Sequence, residues 1–234
     1  MAEVKKQNIP THVGIIIDGN RRWASERNLP TFEGHRRGYD KMLSVPKWFF
    51  SRGVKILSFY AFSTENWNRQ QDEVNYLMKL LLEAVEHSAL ELAGKEGYKV
   101  LISGRIEELP GDLPAKCLNI MAETKTNQQG IINICLNYGG RAEIVDAVRK
   151  MIKNKVELEQ AHEGMIKKYL YQPDLPDPDI IVRTSGEQRL SGFLTWQSIY
   201  SELLFMKKYW PDFEELDAEI VLKEYAQRER RHGA

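Results

Sequence analysis

What most restricts this chain is an alternation. Six short apolar runs, at residues 13–17, 56–61, 99–102, 131–136, 180–182 and 203–206, read as strands. Stretches of helical period separate most of them. The first long helix is expected from about 32–34 to 52, where Tyr39, Met42, Leu43, Trp48 and Phe49 keep a helical spacing. Pro46 predicts a kink or break in it, and Gly53 ends it. A second runs from Asp72, read as its cap, to about 96, with Val74, Leu77, Met78, Leu81, Leu82 and Val85 on one broad apolar arc. Further helices are expected at about 114–127, from the turn at 137–141 to about 154, at 164–171, and from Asp217 into a basic tail at 228–234. Strands alternating with helices argue for an α/β fold, a mainly parallel six-stranded sheet flanked by helices. No repeat or linker interrupts the pattern, so residues 1–234 read as one domain with a loose arm at 1–10.

Charge and composition exclude several classes. Lys+Arg and Asp+Glu are both 33, so no global positive field draws the chain to nucleic acid, and none is expected as a partner. The two cysteines, Cys117 and Cys135, lie in apolar segments and read as small core residues. The start, MAEVKKQNIP, lacks the apolar stretch of a secretory signal, and no apolar run approaches the roughly 18 residues of a membrane span. The expected location is cytoplasmic, with peripheral membrane contact left open.

Chemistry concentrates at three strand ends. The first strand stops at Asp18-Gly19-Asn20-Arg21-Arg22-Trp23, the second runs into FSTENWNR, and the fifth into RTSGEQR. In a parallel sheet those ends share one edge, where open α/β sheets bind their ligands. The rim would gather Asp18, Asn20, Arg21, Arg22, Ser63, Glu65, Asn66, Arg69, Arg183, Ser185, Glu187 and Arg189. Arginine beside hydroxyls and glycine suits a diphosphate, because guanidinium offers paired planar donors. The first of these turns has an equally ordinary reading, with Asp18 and Asn20 capping a helix and Gly19 making the bend. His35 reads either as a phosphate donor or as a helix-surface histidine. Asp174, Asp177 and Asp179 are interrupted by prolines and read as a solvated loop, and residues 137–141 as a tight turn opening a helix. A Walker-type loop, a dinucleotide fingerprint, a zinc spacing and a nucleophile elbow are all missing. A generic phosphate-ester hydrolase therefore lacks its machinery.

The segments HVGIIIDGNRRW, GHRRG, SFYAFSTENWNR, NYGGRAEI, DPDIIVRTSGEQRLSGFLTWQ, YSELLF, WPDF and RERRHG resemble, in order, the cis-prenyltransferase family of the undecaprenyl diphosphate synthase type. The resemblance implies condensation of isopentenyl diphosphate with an allylic diphosphate, commonly farnesyl diphosphate. Each new double bond is Z, and the product would be undecaprenyl diphosphate, a cell-wall lipid carrier. It implies Mg²⁺, a homodimer, and an apolar tunnel between the sheet and the helices at 33–52 and 72–96. By the same resemblance Asp18 holds the metal and assists departure of the allylic diphosphate, and Glu202 assists the metal. Gly19, Asn20, Arg22 and His35 match the allylic diphosphate site, with Trp23 packing beside the substrate. Phe62, Ser63, Asn66, Trp67 and Arg69 match the second strand-end loop, where Asn66 helps proton removal. Arg183, Arg189 and Ser191 match the isopentenyl diphosphate site, and Arg231 and Gly233 a tail that reaches the partner subunit's site.

Two departures stand out. Thr31 occupies a position that is often arginine in the family, and Arg21 one that is often glycine. Either Thr31 leaves allylic diphosphate binding weaker, or Arg36 or Arg37, or the extra cation of Arg21, offsets the loss. By the same resemblance, a small residue at Ala61 goes with an open tunnel and a long product. A short-chain synthase and a non-catalytic partner subunit are the alternatives, the second disfavoured by the intact aspartate and tail motifs.

Overall fold

The computed structural model describes residues 8–86 and 94–228. Its sheet is built from β1 (His12–Ile16), β2 (Ile56–Ser63), β3 (Lys99–Ser103), β4 (Ile131–Tyr138), β5 (Ile180–Arg183) and β6 (Glu202–Phe205). The order across it is β3-β4-β2-β1-β5-β6, and every neighbouring pair is parallel. The helices are α1 (Asn20–Glu26), α2 (Thr31–Phe50), α3 (Gln71–Glu83), α4 (Leu113–Glu123), α5 (Gly140–Lys153), α6 (Glu163–Tyr169) and α7 (Glu215–Gln227). The expected α/β architecture is therefore observed.

Both faces of the sheet are covered, which is why β1 and β5 are buried along their whole length. On one face Val13, Ile15, Leu57, Phe59 and Val182 pack with Val45 and Phe49 of α2, with Trp210 and Phe213 of the turn before α7, and with Val221 of α7. On the other, Ile16, Tyr60, Cys135, Tyr138 and Ile181 pack with Phe193. A further cluster joins Leu77 of α3 and Cys117 of α4 to Phe62, Val100 and Leu136. Both cysteines are free and buried, as the sequence suggested.

A polar line crosses this apolar sheet. Ser103 Oγ donates to Asn133 Oδ1 (2.7 Å), Asn133 Nδ2 to Ser58 Oγ (3.0 Å), and Ser58 Oγ meets His12 Nε2 (2.8 Å). His12 Nδ1 closes the line on the Pro176 carbonyl (2.7 Å). A carbonyl only accepts, so Nδ1 carries the proton and Nε2 accepts from Ser58. Burial pushes the His12 pKa down to about 4, against the opposing pull of the Pro176 hydrogen bond and of Asp179. Asp179 itself accepts from the Thr11 and His12 amides at 2.7 and 3.0 Å, so it anchors the start of β1.

Several boundaries differ from the sequence reading. α2 runs unbroken through Pro46, which is buried in the core rather than marking a break. α3 begins at Gln71 with Gln70 as its cap, and Asp72 stands in the first turn, where its charge suits the helix N-terminus. α3 passes into a π-helical turn at 84–86, and residues 87–93 of the expected helix lie outside the described residues. α7 begins at Glu215, with Asp217 accepting from the Glu214 amide at 2.7 Å in a capping box.

Candidate active site

The register of β1, β2 and β5 pairs Ile16 with both Tyr60 and Arg183, so the three strand ends open on one edge. Asp18 lies two residues past the end of β1. Its amide donates to Thr184 Oγ1 (3.0 Å), and the same hydroxyl donates to the Asp18 carbonyl (2.6 Å). Gly19, at φ 107°, is the N-cap of α1, and no side chain caps that helix. The capping alternative is thereby removed, and the Asp18 carboxylate is directed to other partners.

Those partners are arginines. Arg183 donates to Asp18 Oδ2 at 2.8 Å, and Arg22 lies 3.4 Å from the same oxygen. Burial alone would raise the Asp18 pKa. The Arg183 hydrogen bond and charge outweigh it and hold the carboxyl below its ordinary value. Arg183 also donates to Ser191 Oγ (2.8 Å) and to the Arg189 carbonyl, which leaves its Nε buried without an acceptor. Arg22 donates to Ser185 Oγ (2.6 Å) and Glu187 (3.1 Å).

The second strand end is organised around a carboxylate that sequence reasoning missed. Buried Glu73 accepts from His35 Nε2 and Arg69 NH1, both at 2.9 Å, and Arg21 stands 3.9 Å away. Burial lowers the His35 pKa more than the Glu73 bond raises it, so His35 is a neutral ring whose proton is committed to Glu73. Arg69 and Glu73 are four apart on the chain, an i,i+4 pair that could have flagged Glu73. Asn66 is fixed by the turn it sits in, its Oδ1 accepting from the Ser63 amide at 3.1 Å.

Most of these groups line one cavity of about 1390 Å³; Glu73, Ser185 and Glu187 do not border it but bond residues that do. Asp18, Gly19, Asn20, Arg21, Arg22, His35, Phe62, Ser63, Glu65, Asn66, Arg69, Arg183, Arg189 and Ser191 all border it, as the sequence reading required. Its inner wall is apolar, with Met42 of α2, Ala61 of β2 and Leu77, Leu80 and Leu81 of α3. The cavity therefore joins a cationic rim to an apolar interior. Arg141, Gly139 and Gly140 also border it, so the turn at 137–141 contributes to the site beyond opening a helix.

Besides Ser185 and Glu187 of the expected rim, three predicted residues are placed elsewhere. Trp23 does not border the cavity. Its Nε1 donates to Asp212 (2.6 Å) and Arg27 stacks over its ring, which docks α1 on the 210–212 turn. Trp67 is likewise outside, donating to Asn137 Oδ1 (2.8 Å). Glu202 pairs in register with Ile180, at the end of the sheet away from Arg183, and binds Arg228 at 2.7 Å. Three residues of strand, about 10 Å, separate those two levels, so Glu202 and Asp18 do not hold a common metal within one chain. Arg231 and Gly233 lie outside the described residues.

Of the proposed substitutes for an arginine at Thr31, Arg36 is engaged with Glu83 at 2.7 Å, and neither it nor Arg37 borders the cavity. Arg21 and Thr31 both do. Close approach of α1 to α2 depends on two glycines. A Cβ on Gly34 would stand 2.0 Å from the Asn20 carbonyl, and one on Gly38 2.5 Å from Asn20 Oδ1.

Comparisons with known proteins agree with this geometry. The prenyltransferase family described as "Putative undecaprenyl diphosphate synthase" matches residues 16–233. An isoprenyl transferase of Thermotoga maritima is 46% identical over 230 residues, 96% of this chain and 97% of that protein. A geranylgeranyl-diphosphate-specific tritrans,polycis-undecaprenyl-diphosphate synthase of Pyrococcus furiosus is 42% identical, covering 100% of this chain and 90% of its own. Lavandulyl diphosphate synthase of Lavandula x intermedia, solved with dimethylallyl diphosphate, superposes with a TM-score of 0.92 at 31% identity over 97% of this chain and 99% of its own. The chain belongs to the undecaprenyl diphosphate synthase family of prenyltransferases.

Proposed function

We propose that this enzyme condenses isopentenyl diphosphate with an allylic diphosphate to give a long Z-polyprenyl diphosphate, undecaprenyl diphosphate. The observation that carries this reading is the single cavity whose rim bears Arg22, Arg69, Arg183 and Arg189 and whose wall is leucine-rich. Two diphosphates repel one another, and guanidinium groups on separate strand ends offset that repulsion. Farnesyl diphosphate, implied by the sequence resemblance, and geranylgeranyl diphosphate, for which the Pyrococcus furiosus relative is named as specific, are the two candidate primers.

Magnesium fits the residues present. Asp18 is a single carboxylate beside phosphate-binding groups, and no cluster of three or more His, Cys, Asp or Glu forms a cage among the described residues. Mg²⁺ is commonly bound by one or two carboxylates together with substrate phosphates. Asp18 would hold it, and it would neutralise charge developing on the departing diphosphate.

The chain's own groups then divide the work. Arg22 and Arg69, with Arg21, bind the allylic diphosphate, so that its C–O bond breaks with the electron pair leaving on diphosphate. Arg183, Arg189 and Ser191 orient isopentenyl diphosphate so that its terminal alkene carbon bonds to allylic C1. Asn66 assists loss of the proton that restores a double bond. The apolar wall takes up the lengthening chain, and Ala61 leaves it room.

A homodimer is part of the same reading. α5 exposes Val145, Val148 and Ile152 (72% accessible), and Ile199 and Tyr200 are 75% and 70% accessible. Such apolar surface suits a second copy. No helix among the described residues is long and apolar enough to cross a membrane. Cytoplasmic location, with membrane contact through the lipid product, is the corresponding proposal. Incubation with labelled isopentenyl diphosphate, Mg²⁺ and either farnesyl or geranylgeranyl diphosphate, with chromatography of the products, tests the function. Long-chain product is expected, C10–C15 products would replace it with a short-chain synthase, and no product at all would overturn it.

A further inference from the structure

The segment after β5 carries Arg189 and Ser191 without being a helix or strand. Its backbone is unusual there, with Ser191 at φ 49° and Gly192 at φ 79°. A loop of that shape needs external fixing to present its groups at constant positions. Three carbonyls of the loop provide it. Arg189 C=O accepts from Arg183, Ser191 C=O from Tyr60 Oη (3.2 Å), and Gly192 C=O from the Gly140 amide (2.8 Å).

Tyr60 is the least expected of these anchors. It lies on β2, one strand beyond β1, and borders the cavity. Its single hydroxyl proton is shared between Ser191 C=O and Tyr138 C=O, both at 3.2 Å, so one atom ties the ends of β2 and β4 to the loop. Its ring stacks on Phe193 of the same loop, with centroids 4.9 Å apart and planes 18° apart. The stacking sets the loop's height over the sheet, and the hydroxyl sets its position along the strand.

We propose that Tyr60 is a positioning residue for one of the two diphosphates: through Ser191 it fixes the group that holds the Arg183 guanidinium, and so the grip on isopentenyl diphosphate. The assignment rests on the proposed function for which of the two diphosphates lies there. The allylic side of the cavity, built on α1 and the α2–α3 pair, has no bond to this loop through Tyr60.

Tyr60→Phe keeps the ring stack and removes the hydroxyl. It is expected to weaken isopentenyl diphosphate binding about fivefold to tenfold, the value of one lost hydrogen bond, read as Kd by calorimetry and as KM in turnover. The KM for the allylic diphosphate and the thermal midpoint should stay near wild type. Gly140→Ala disturbs the same loop from the other side, since its Cβ would stand 2.2 Å from Thr195 Oγ1. It should raise the same constant selectively, and it decides the matter if the phenylalanine variant does not fold. An unchanged isopentenyl constant, or equal rises for both substrates, would overturn the proposal. Calorimetric binding keeps this outcome separate from a failure of the proposed reaction, which would show as wild-type enzyme without prenyl transfer.

Discussion

Asp18 carries its charge between Arg183 and Arg22 before any substrate is present. The arrangement keeps the carboxylate ionised and places the two arginines where a diphosphate would displace them. Asp18→Asn keeps the shape and an acceptor for Arg183 but loses the negative charge. It should lower kcat about a thousandfold, on the scale of removing a main electrostatic contributor, while circular-dichroism melting stays close to wild type. Retained turnover in that variant would remove Asp18 from the mechanism. Arg21 tests the charge balance on the opposite side. Arg21→Gly should raise the allylic KM about tenfold, and adding Thr31→Arg should recover most of the loss, both read by steady-state kinetics. Residues named from strand ends, such as Arg69 and Arg189, were legible because a parallel sheet brings those ends together whatever the details. The placement of Trp23 and Glu202 was not legible, because their partners, Asp212 and Arg228, are distant in sequence and only the fold brings them near.

Among the elements, strands were the easiest to read, since buried apolar runs between turn residues have few other solutions. Helix ends were harder. Pro46 stays inside α2 because burial in the core offsets a lost hydrogen bond and ring clash that together cost about 3 kcal/mol. The polar line through His12, Ser58, Asn133 and Ser103 was not legible at all, because those residues sit on four different strands. It has a consequence for pH. The folded His12 takes a proton only near pH 4, whereas an unfolded histidine takes one near 6.5. The unfolded chain therefore binds more protons between those values, and stability falls as pH drops from about 6.5 toward 4, by about 3 kcal/mol. Urea midpoints across that window should fall more steeply for wild type than for His12→Gln. Parallel slopes would show that the line does not depend on the uncharged ring.

For the whole molecule, the apolar stripe on α5 gives a prediction at the level of assembly. Ile152→Glu combined with Ile199→Asp should convert the proposed dimer to a monomer by light scattering, with no fall in thermal midpoint from lost core packing, since both side chains are exposed. The order of strands carries a different consequence, in time instead of space. β3 and β4 are joined by pairs such as Ser103 and Asn133, 30 residues apart, and β2 and β4 by Ser58 and Asn133, 75 apart. Asp18 and Arg183, which complete the proposed reaction centre, are 165 apart. Contacts across long loops are slow to form, because the closure entropy is lost before the contact is gained. After dilution from denaturant, ellipticity should recover first and prenyl transfer last. A chain halted midway would then be largely folded yet chemically silent, and enzymatic activity would serve as the clock for the final strand.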